Sequence, residues 1–480
     1  MKYKDGEDME TKYDLIILGQ GAAAFAAAIK ANELGIKTAM IGGNATPGTV
    51  IGGTCVNVGC LPSKNLITVA NVFHYAANNS FEGIKYEKGA LNFRKAIEQK
   101  DRLVAKFRKE KYADLIENLE NVTYIEGRGR FVSKNSVEVD GKKIEGGKFI
   151  VAVGARSNII PVKGLDEINY LTNEEALDLK ELPESLCVVG GRALGLEFAQ
   201  MFSHFGTKVT VLQRSERVIP EEEPEISDAL RQYLEEEGIK IYTGMNINFV
   251  KKSGSKKTVN FSVKGSAKEI EADHILFATG RKPNTDGLHL DKADVKLDEK
   301  GFVKVNSEMQ TSASHVFAAG DVIGEPMLET IAAKEGAVAV ENAFGKARKK
   351  INFSEVPRAV FTYPEVASVG LTDAQAISKG IRCSCRTLPL SFVPKAHIIG
   401  DTRGLVKIVT DNQTKRIVGV HILAPHAADI IHEGTLAVKF KLAIDDIIDT
   451  VHVFPTLSES VKLAAQSFYK DVSKMSCCTE

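Results

Sequence analysis

The sequence predicts an α/β chain of two Rossmann-like nucleotide-binding domains followed by a C-terminal α+β domain. Three observations carry that expectation. Residues 12–42 contain "YDLIILGQGAAAFAAAIKANELGIKTAMIG", which reads as strand, glycine turn, small-residue helix and second strand. Residues 185–213, "SLCVVGGRALGLEFAQMFSHFGTKVTVLQ", repeat the scheme. From about Asn352 the pattern changes to β runs and then helices, as in "RGLVKIVTDNQTKRIVGVHILA" followed by "HAADIIHEGTLAVKF". A single glycine fingerprint is a weak signal, but two in strand–helix context imply two dinucleotides.

Between the two units, residues 64–118 read as charged helices. The apolar runs with Gly/Pro turns at "FIVAVGARSNIIPVKG" (149–164), "HILFATGRKPNTDGL" (274–288) and "VFAAGDVIG" (316–324) mark where the chain crosses between the nucleotide domains. The boundaries that follow are 1–155 for the first domain, 156–280 for the second, 281–350 for a central part belonging with the first, and 351–480 for the C-terminal interface domain.

Composition narrows the function. The 480 residues are 44% hydrophobic and 26% charged, ordinary for a soluble globular protein. Lys+Arg and Asp+Glu both number 62, so nothing in the charge balance points to nucleic acid or an anionic membrane. No apolar run reaches the roughly 18 residues of a spanning helix. The opening "MKYKDGEDMETKYD" is polar and acidic, without the apolar core of a secretory signal. A cytoplasmic protein is expected, where close cysteines read as catalytic or metal-binding rather than structural.

In the first unit Gly19 and Gly21 permit a tight turn that brings backbone N–H groups and a helix N-terminus to a pyrophosphate. Ala24 replaces the third glycine and is still small. The acidic ribose ligand usual at the end of the second strand is missing, with Gly42 or Gly43 in its place. In the second unit the glycines are Gly190, Gly191 and Gly195, and Arg192 stands where the middle fingerprint glycine is usual. The second strand ends in Gln213, followed by Arg214 and Arg217. No carboxylate and two guanidinium groups favour a 2′-phosphate, hence NADPH. The alternative is that both arginines are solvated surface charges.

The cysteines are the most informative feature. Cys55 and Cys60 lie in "GGTCVNVGCLPSK" (52–64), with Pro62 just inside a helix start. The positive end of a helix dipole there favours a thiolate, and the pair can close a redox-active disulfide. A structural zinc site would need two further ligands. Cys383 and Cys385 form a CxC in a predicted strand and read as packing residues. Cys477 and Cys478 are adjacent near the C-terminus, where both sulfurs can turn toward one soft cation and hand it on.

These residues resemble the FAD-dependent pyridine nucleotide–disulfide oxidoreductases over essentially the whole chain from Tyr13. The resemblance implies FAD and NADPH as cofactors and a homodimer built through the C-terminal domain. It places Thr54, Lys64, Ala24 and Gly129 at the flavin cofactor, Asp321 of "AAGD" on its ribityl or phosphate region, and Glu197 as the carboxylate partner of Lys64. It implies that Cys60 is the thiolate facing the flavin and Cys55 the outer, attacking thiol.

Disulfide reductases of the family carry "HxHPTxxE", whose second His is the acid–base group for thiol exchange. Here the stretch is "HVFPTLSE" (452–459), with Phe454 at that position. Phenylalanine moves no proton, and dithiol–disulfide exchange requires one to move. The segments "VPKAHIIGDTRG" and "VKLAAQSFYKDVSKMSCC" are similar to the mercury-reducing branch of the family. That branch implies Hg(II) delivered as small-thiol complexes, accepted by Cys477 and Cys478 and passed to Cys55 and Cys60. The competing expectation is a disulfide reductase with the tail cysteines as an extra redox centre.

Overall fold

The computed structural model describes residues 11–43, 51–84, 89–346 and 348–476. Cys477 and Cys478 therefore lie outside the described residues.

Alternation of β-branched and small apolar residues builds the first sheet. Strand Lys12–Leu18 runs parallel to Thr38–Gly42 on one side and to Lys142–Val151 on the other. Val122–Glu126 extends the parallel set beyond Thr38–Gly42. Leu15, Ile16 and Ile17 are fully buried, as a strand covered on both faces demands. On its other edge the strand Lys142–Val151 has two further partners along its length. Its first half pairs antiparallel with Ser136–Val139, and its last residues pair parallel with Val316–Ala318, which arrives from far along the chain.

Helix Ala22–Glu33 packs on this sheet and against helix Glu329–Phe344. Their approach is tight because small residues meet: a Cβ on Gly336 would stand 2.1 Å from the Ala23 carbonyl oxygen. This packing fixes where the first turn of Glu329–Phe344 begins.

The second nucleotide domain is a four-stranded parallel sheet in the order Lys240–Tyr242, Lys208–Leu212, Ser185–Val189, His274–Phe277, with a three-stranded antiparallel meander over 245–272 beside it. The chain leaves the first domain and returns to it side by side, since Ala155–Ser157 pairs antiparallel with Arg281–Pro283. Cys187 is buried on its strand and is a packing residue.

The C-terminal domain is a five-stranded antiparallel sheet, Arg358–Val360, Glu365–Gly370, Ile417–Ala424, Leu405–Asp411 and Cys383–Pro389 in spatial order, with helices Ala427–Phe440 and Glu459–Gln466 against it. Charged residues anchor it to the second nucleotide domain: Arg358 Nε lies 2.7 Å from Glu222 Oε1, and Lys407 Nζ lies 2.9 Å from Glu223 Oε2. It also exposes large apolar side chains in sequence-adjacent segments, namely Leu436, Phe440, Val451, Val453 and Phe454. No helix among the described residues is long and apolar enough to cross a membrane.

Candidate active site

The two cysteines are presented by consecutive helices. Cys55 lies in Gly53–Val58 and Cys60 opens the long helix Cys60–Ala77. The short turn is held by side chains: Asn57 Nδ2 donates to Gly53 O at 2.8 Å, Arg108 Nε donates to Asn57 Oδ1 at 2.6 Å, and Asn173 Nδ2 donates to Val58 O at 2.7 Å. Between the helices, Ser63 Oγ donates to the Gly59 carbonyl at 2.7 Å.

The pair is electrostatically asymmetric. Hydrogen bonding to the Cys60 sulfur, burial and the Cys60 charge push the Cys55 thiol far up. The same hydrogen bond, then the positive charge of Lys64, draws Cys60 below the usual thiol value against the opposing effect of burial. Cys60 is therefore the more acidic thiol of the pair and Cys55 the one that keeps its proton. Cys60 also begins a helix of 18 residues, so the unpaired N–H groups at that end add to its stabilisation.

Lys64, one turn further on, lies 2.6 Å from Glu197 Oε2. Glu197 sits in helix Ala193–Phe205 of the second nucleotide domain and accepts the Phe361 N–H of the C-terminal domain at 2.9 Å. Lys64 Nζ also stands 4.8 Å from the Phe361 ring centre. All three domains thus meet behind the cysteine helix.

Two neighbours of the pair escaped the sequence reading. Glu329, the first residue of helix Glu329–Phe344, faces both cysteines and pushes Cys55 further up. Tyr112 sits in a π-helical turn, Lys109–Ala113, its ring edge-on to Phe25 at 4.9 Å. Burial, then the charges of Glu329, Cys55 and Cys60, raise its hydroxyl to about 12. Neither belongs to a motif; the π turn that aims Tyr112 and the helix packing that aims Glu329 are tertiary features.

The glycine loops pack backbone against backbone with no space for a side chain. A Cβ on Gly19 would stand 2.1 Å from Ala152 O, and one on Gly53 would stand 2.6 Å from Gly21 Cα. Gly21 precedes helix Ala22–Glu33 with no side-chain cap, so its first N–H groups face the loop. Ala24 is buried against the neighbouring helix layer. Gly129 is a close-packing position, where a Cβ would meet Leu18 Cδ2 at 2.6 Å. The missing ribose carboxylate also has a steric reason. A Cβ at Gly42 would strike the Gln20 side chain at 2.7 Å and one at Gly43 would strike Gly127 N at 2.6 Å.

Around the same cleft, Asp321 Oδ2 lies 3.4 Å from Arg281 Nε, and Arg281 Nη2 reaches Thr54 Oγ1 at 3.4 Å. Arg281 Nε is buried without a hydrogen-bond acceptor, and burial raises the Asp321 carboxyl above its ordinary range. A half-buried cation and acid with spare hydrogen-bonding capacity, beside a bare helix N-terminus, fit the pyrophosphate and polyol chain of FAD.

In the second unit, a Cβ on Gly195 would stand 1.8 Å from Gly190 O, so helix and strand cross at glycine contact. Gln213 does not point outward. It is buried, and its Oε1 accepts the Gly191 N–H at 2.8 Å. Arg214 is exposed at the strand end, whereas Arg217 pairs with Asp228 at 2.9 Å. Arg192 is exposed at the helix N-cap and pairs with Glu221 at 3.3 Å.

Phe454 is half exposed, and its neighbour His452 is not free to replace an acid–base group. His452 Nε2 lies 2.9 Å from Glu433 Oε1 and Nδ1 lies 3.0 Å from the Thr450 carbonyl. The Glu433 contact holds its imidazole above the usual histidine range.

Two dinucleotide cradles, a cysteine pair at a helix start and a separate antiparallel domain define a flavin-linked disulfide oxidoreductase architecture. The chain belongs to the pyridine nucleotide-disulphide oxidoreductase family, whose main model matches residues 13–336 and whose dimerisation-domain model matches 356–465. It is an NAD(P)H-dependent flavoprotein oxidoreductase. Among its relatives are a mercuric reductase of Staphylococcus aureus, 44% identical over 97% of this chain and 84% of that protein, and one of Streptomyces lividans, 39% identical over 98% of both. A mitochondrial dihydrolipoyl dehydrogenase of Pisum sativum is 36% identical over 95% of this chain and 91% of that protein. Among solved structures, the HOCl-induced flavoprotein disulfide reductase RclA of Escherichia coli superposes with a TM-score of 0.84 at 27% identity, covering 95% of this chain and all of that one.

Proposed function

We propose that the protein is a cytoplasmic, homodimeric mercuric reductase that converts thiol-bound Hg(II) to elemental mercury with NADPH: NADPH + Hg²⁺ → NADP⁺ + H⁺ + Hg⁰. The observation that carries the proposal is the Cys55–Cys60 pair in a chain whose acid–base position is Phe454. Bound FAD supplies the two-electron link between NADPH and the cysteine site. The FAD cradle comprises Gly19, Gly21, Ala24, Thr54, Lys64, Gly129 and Asp321, within residues 1–155 and 281–350. Gly190 and Gly195 in 156–280 would hold NADPH, with Arg214 and Arg217 as the guanidinium groups available to its 2′-phosphate. Residues 351–480 form the dimerisation domain.

The Cys60 thiol is drawn below its usual value, so it is the readier of the two to displace one small thiolate from Hg(II). Cys55 must lose its proton before its sulfur becomes the second ligand, and Glu329 faces it to take that proton. Lys64, fixed by Glu197, keeps a cation beside Cys60 throughout. Tyr112 keeps its hydroxyl proton at neutral pH and closes the pocket as a neutral wall. Mercury(II) is soft and favours thiolates, so its passage by ligand exchange from Cys477 and Cys478 needs no proton relay at 454. The exposed Leu436, Phe440, Val451, Val453 and Phe454 suit burial by a second subunit.

The test is mercury vapour released by purified, FAD-replete protein with Hg(II), NADPH and excess small thiol, against controls without protein and without NADPH. Sustained NADPH-dependent vapour supports the reading, and none from FAD-replete protein ends it. Disulfide reduction is the second reading, favoured by the architecture shared with disulfide reductases. Phe454→His separates the two: it should raise disulfide-dependent NADPH oxidation from near background, whereas brisk activity in the unmodified protein would favour the second reading.

A further inference from the structure

The sequence reading treats Cys383 and Cys385 as packing residues, and the structure corrects this. Both are only half buried, at the start of the edge strand Cys383–Pro389. Residues two apart on a strand share a face, and here that face meets the short helix Asp373–Ser378. Cys383 Sγ donates to Asp373 Oδ1 at 2.9 Å. Cys385 also hydrogen-bonds the Asp373 carboxylate. The two sulfurs and one carboxylate oxygen lie within 4.8 Å of one another.

We propose that Asp373, Cys383 and Cys385 form a binding site for a thiophilic d¹⁰ divalent cation of the Zn(II), Cd(II) and Hg(II) class, separate from the Cys55–Cys60 centre. Two sulfurs bound at about 2.3 Å in tetrahedral geometry stand about 3.8 Å apart, and about 4.6 Å apart when opposed linearly. Donors within 4.8 Å need only rotamer adjustment to reach either arrangement. Two thiols and a carboxylate make a soft, three-donor set that leaves a fourth position for solvent.

The surroundings support the site. Asp373 is fixed by its backbone, whose N–H donates to Glu223 Oε1 at 2.6 Å, and by the capping box of Thr372 and Gln375. The other three-residue cluster among the described residues, His74, His204 and Glu237, differs because its groups are already used. His204 bonds Asn71 and Glu237 through its two nitrogens, and Glu237 also binds Arg403, Gln200 and Tyr75.

Binding here replaces two S–H protons by one cation and changes no oxidation state. A mercuric ion held at this face is stored, not reduced.

The test is equilibrium dialysis of full-length, FAD-loaded, fully reduced protein against Cd(II), with cadmium per chain and the ultraviolet thiolate-to-metal band as readouts. The unmodified protein should bind one more cadmium per chain than C383S/C385S. Asp373→Asn should keep the band but weaken binding at least tenfold. NADPH oxidation should be the same in all three. Equal cadmium in the unmodified protein and C383S/C385S overturns the proposal, as does a Cys383–Cys385 disulfide that persists in reductant. Parallel Zn(II) and Hg(II) titrations decide which cation saturates first, and failure of all three to saturate a thiol-dependent site also overturns it. Should C383S/C385S lose flavin or helix content, the single variants C383A and C385A carry the same comparison.

Discussion

Glu335 gives a quantitative test of the core beneath the flavin cradle. It is 1% exposed, and its Oε2 accepts the Gly320 N–H at 2.7 Å. Burial lifts its carboxyl from 4.5 to about 7, opposed by the Gly320 hydrogen bond and assisted by the Asp321 charge. The folded chain therefore holds this proton more tightly than the unfolded chain. The stability it contributes is complete below about pH 4.5 and is lost as pH rises through about 7. The difference between those values corresponds to about 3 kcal/mol. Glu335→Gln keeps a carbonyl acceptor for Gly320 and removes the buried charge. The variant should match the parent near pH 4.5 and be more stable by up to about 3 kcal/mol near pH 8. Spread over 480 residues, that is a rise of about 3 °C in melting temperature, and more where the flavin-side domain melts alone. Thermal scans followed by flavin release at the two pH values measure it. An equal shift at both, or a loss at the higher pH, would refute the reasoning.

Lys64→Ala removes the cation beside Cys60 and leaves Glu197, 5% exposed, with only the Phe361 N–H. The thiolate absorbance of Cys60 should titrate at higher pH once the Lys64 charge is gone, and stability should fall by about 2 kcal/mol. That is less than the ~3–5 of a fully buried pair because Lys64 is partly solvated. Glu329→Gln should slow Hg(II)-dependent NADPH oxidation about a hundredfold at neutral pH; an undiminished rate removes the carboxylate from the proton path. Replacing Cys477 and Cys478 together by Ala should cripple turnover of thiol-bound mercury while FAD stays bound, and undiminished turnover would eliminate the tail relay.

The fold class was legible because its signals are local. Each βαβ unit lies within about thirty consecutive residues, and glycine at positions such as 19, 190 and 195 answers backbone contacts under 2.3 Å. The cysteine pair was legible because a helix start and two thiols lie within one short segment. Glu329 was not, since it reaches the pair only through the Gly336–Ala23 packing of two helices more than 300 residues apart in sequence. By sequence Gln213 shows only the absence of a ribose-binding carboxylate; the structure shows what it does, which is to brace Gly191. The absent carboxylate after the first unit's second strand is likewise a matter of space at Gly42 and Gly43. The CxC was misread because alternation alone does not say whether an edge strand's face meets core or carboxylate.

The late arrival of Val316–Ala318 beside Lys142–Val151 bears on how the chain is made. During synthesis the first nucleotide domain emerges early yet must wait for a strand encoded more than 160 residues after its neighbour. The second domain, whose four parallel strands all fall within 185–277, has every piece in hand sooner. Order of completion is thus the reverse of order of emergence, and an apolar edge of the first sheet stays open on the ribosome meanwhile. Truncations ending before Val316 should accordingly yield a second domain that resists protease and a first domain that does not.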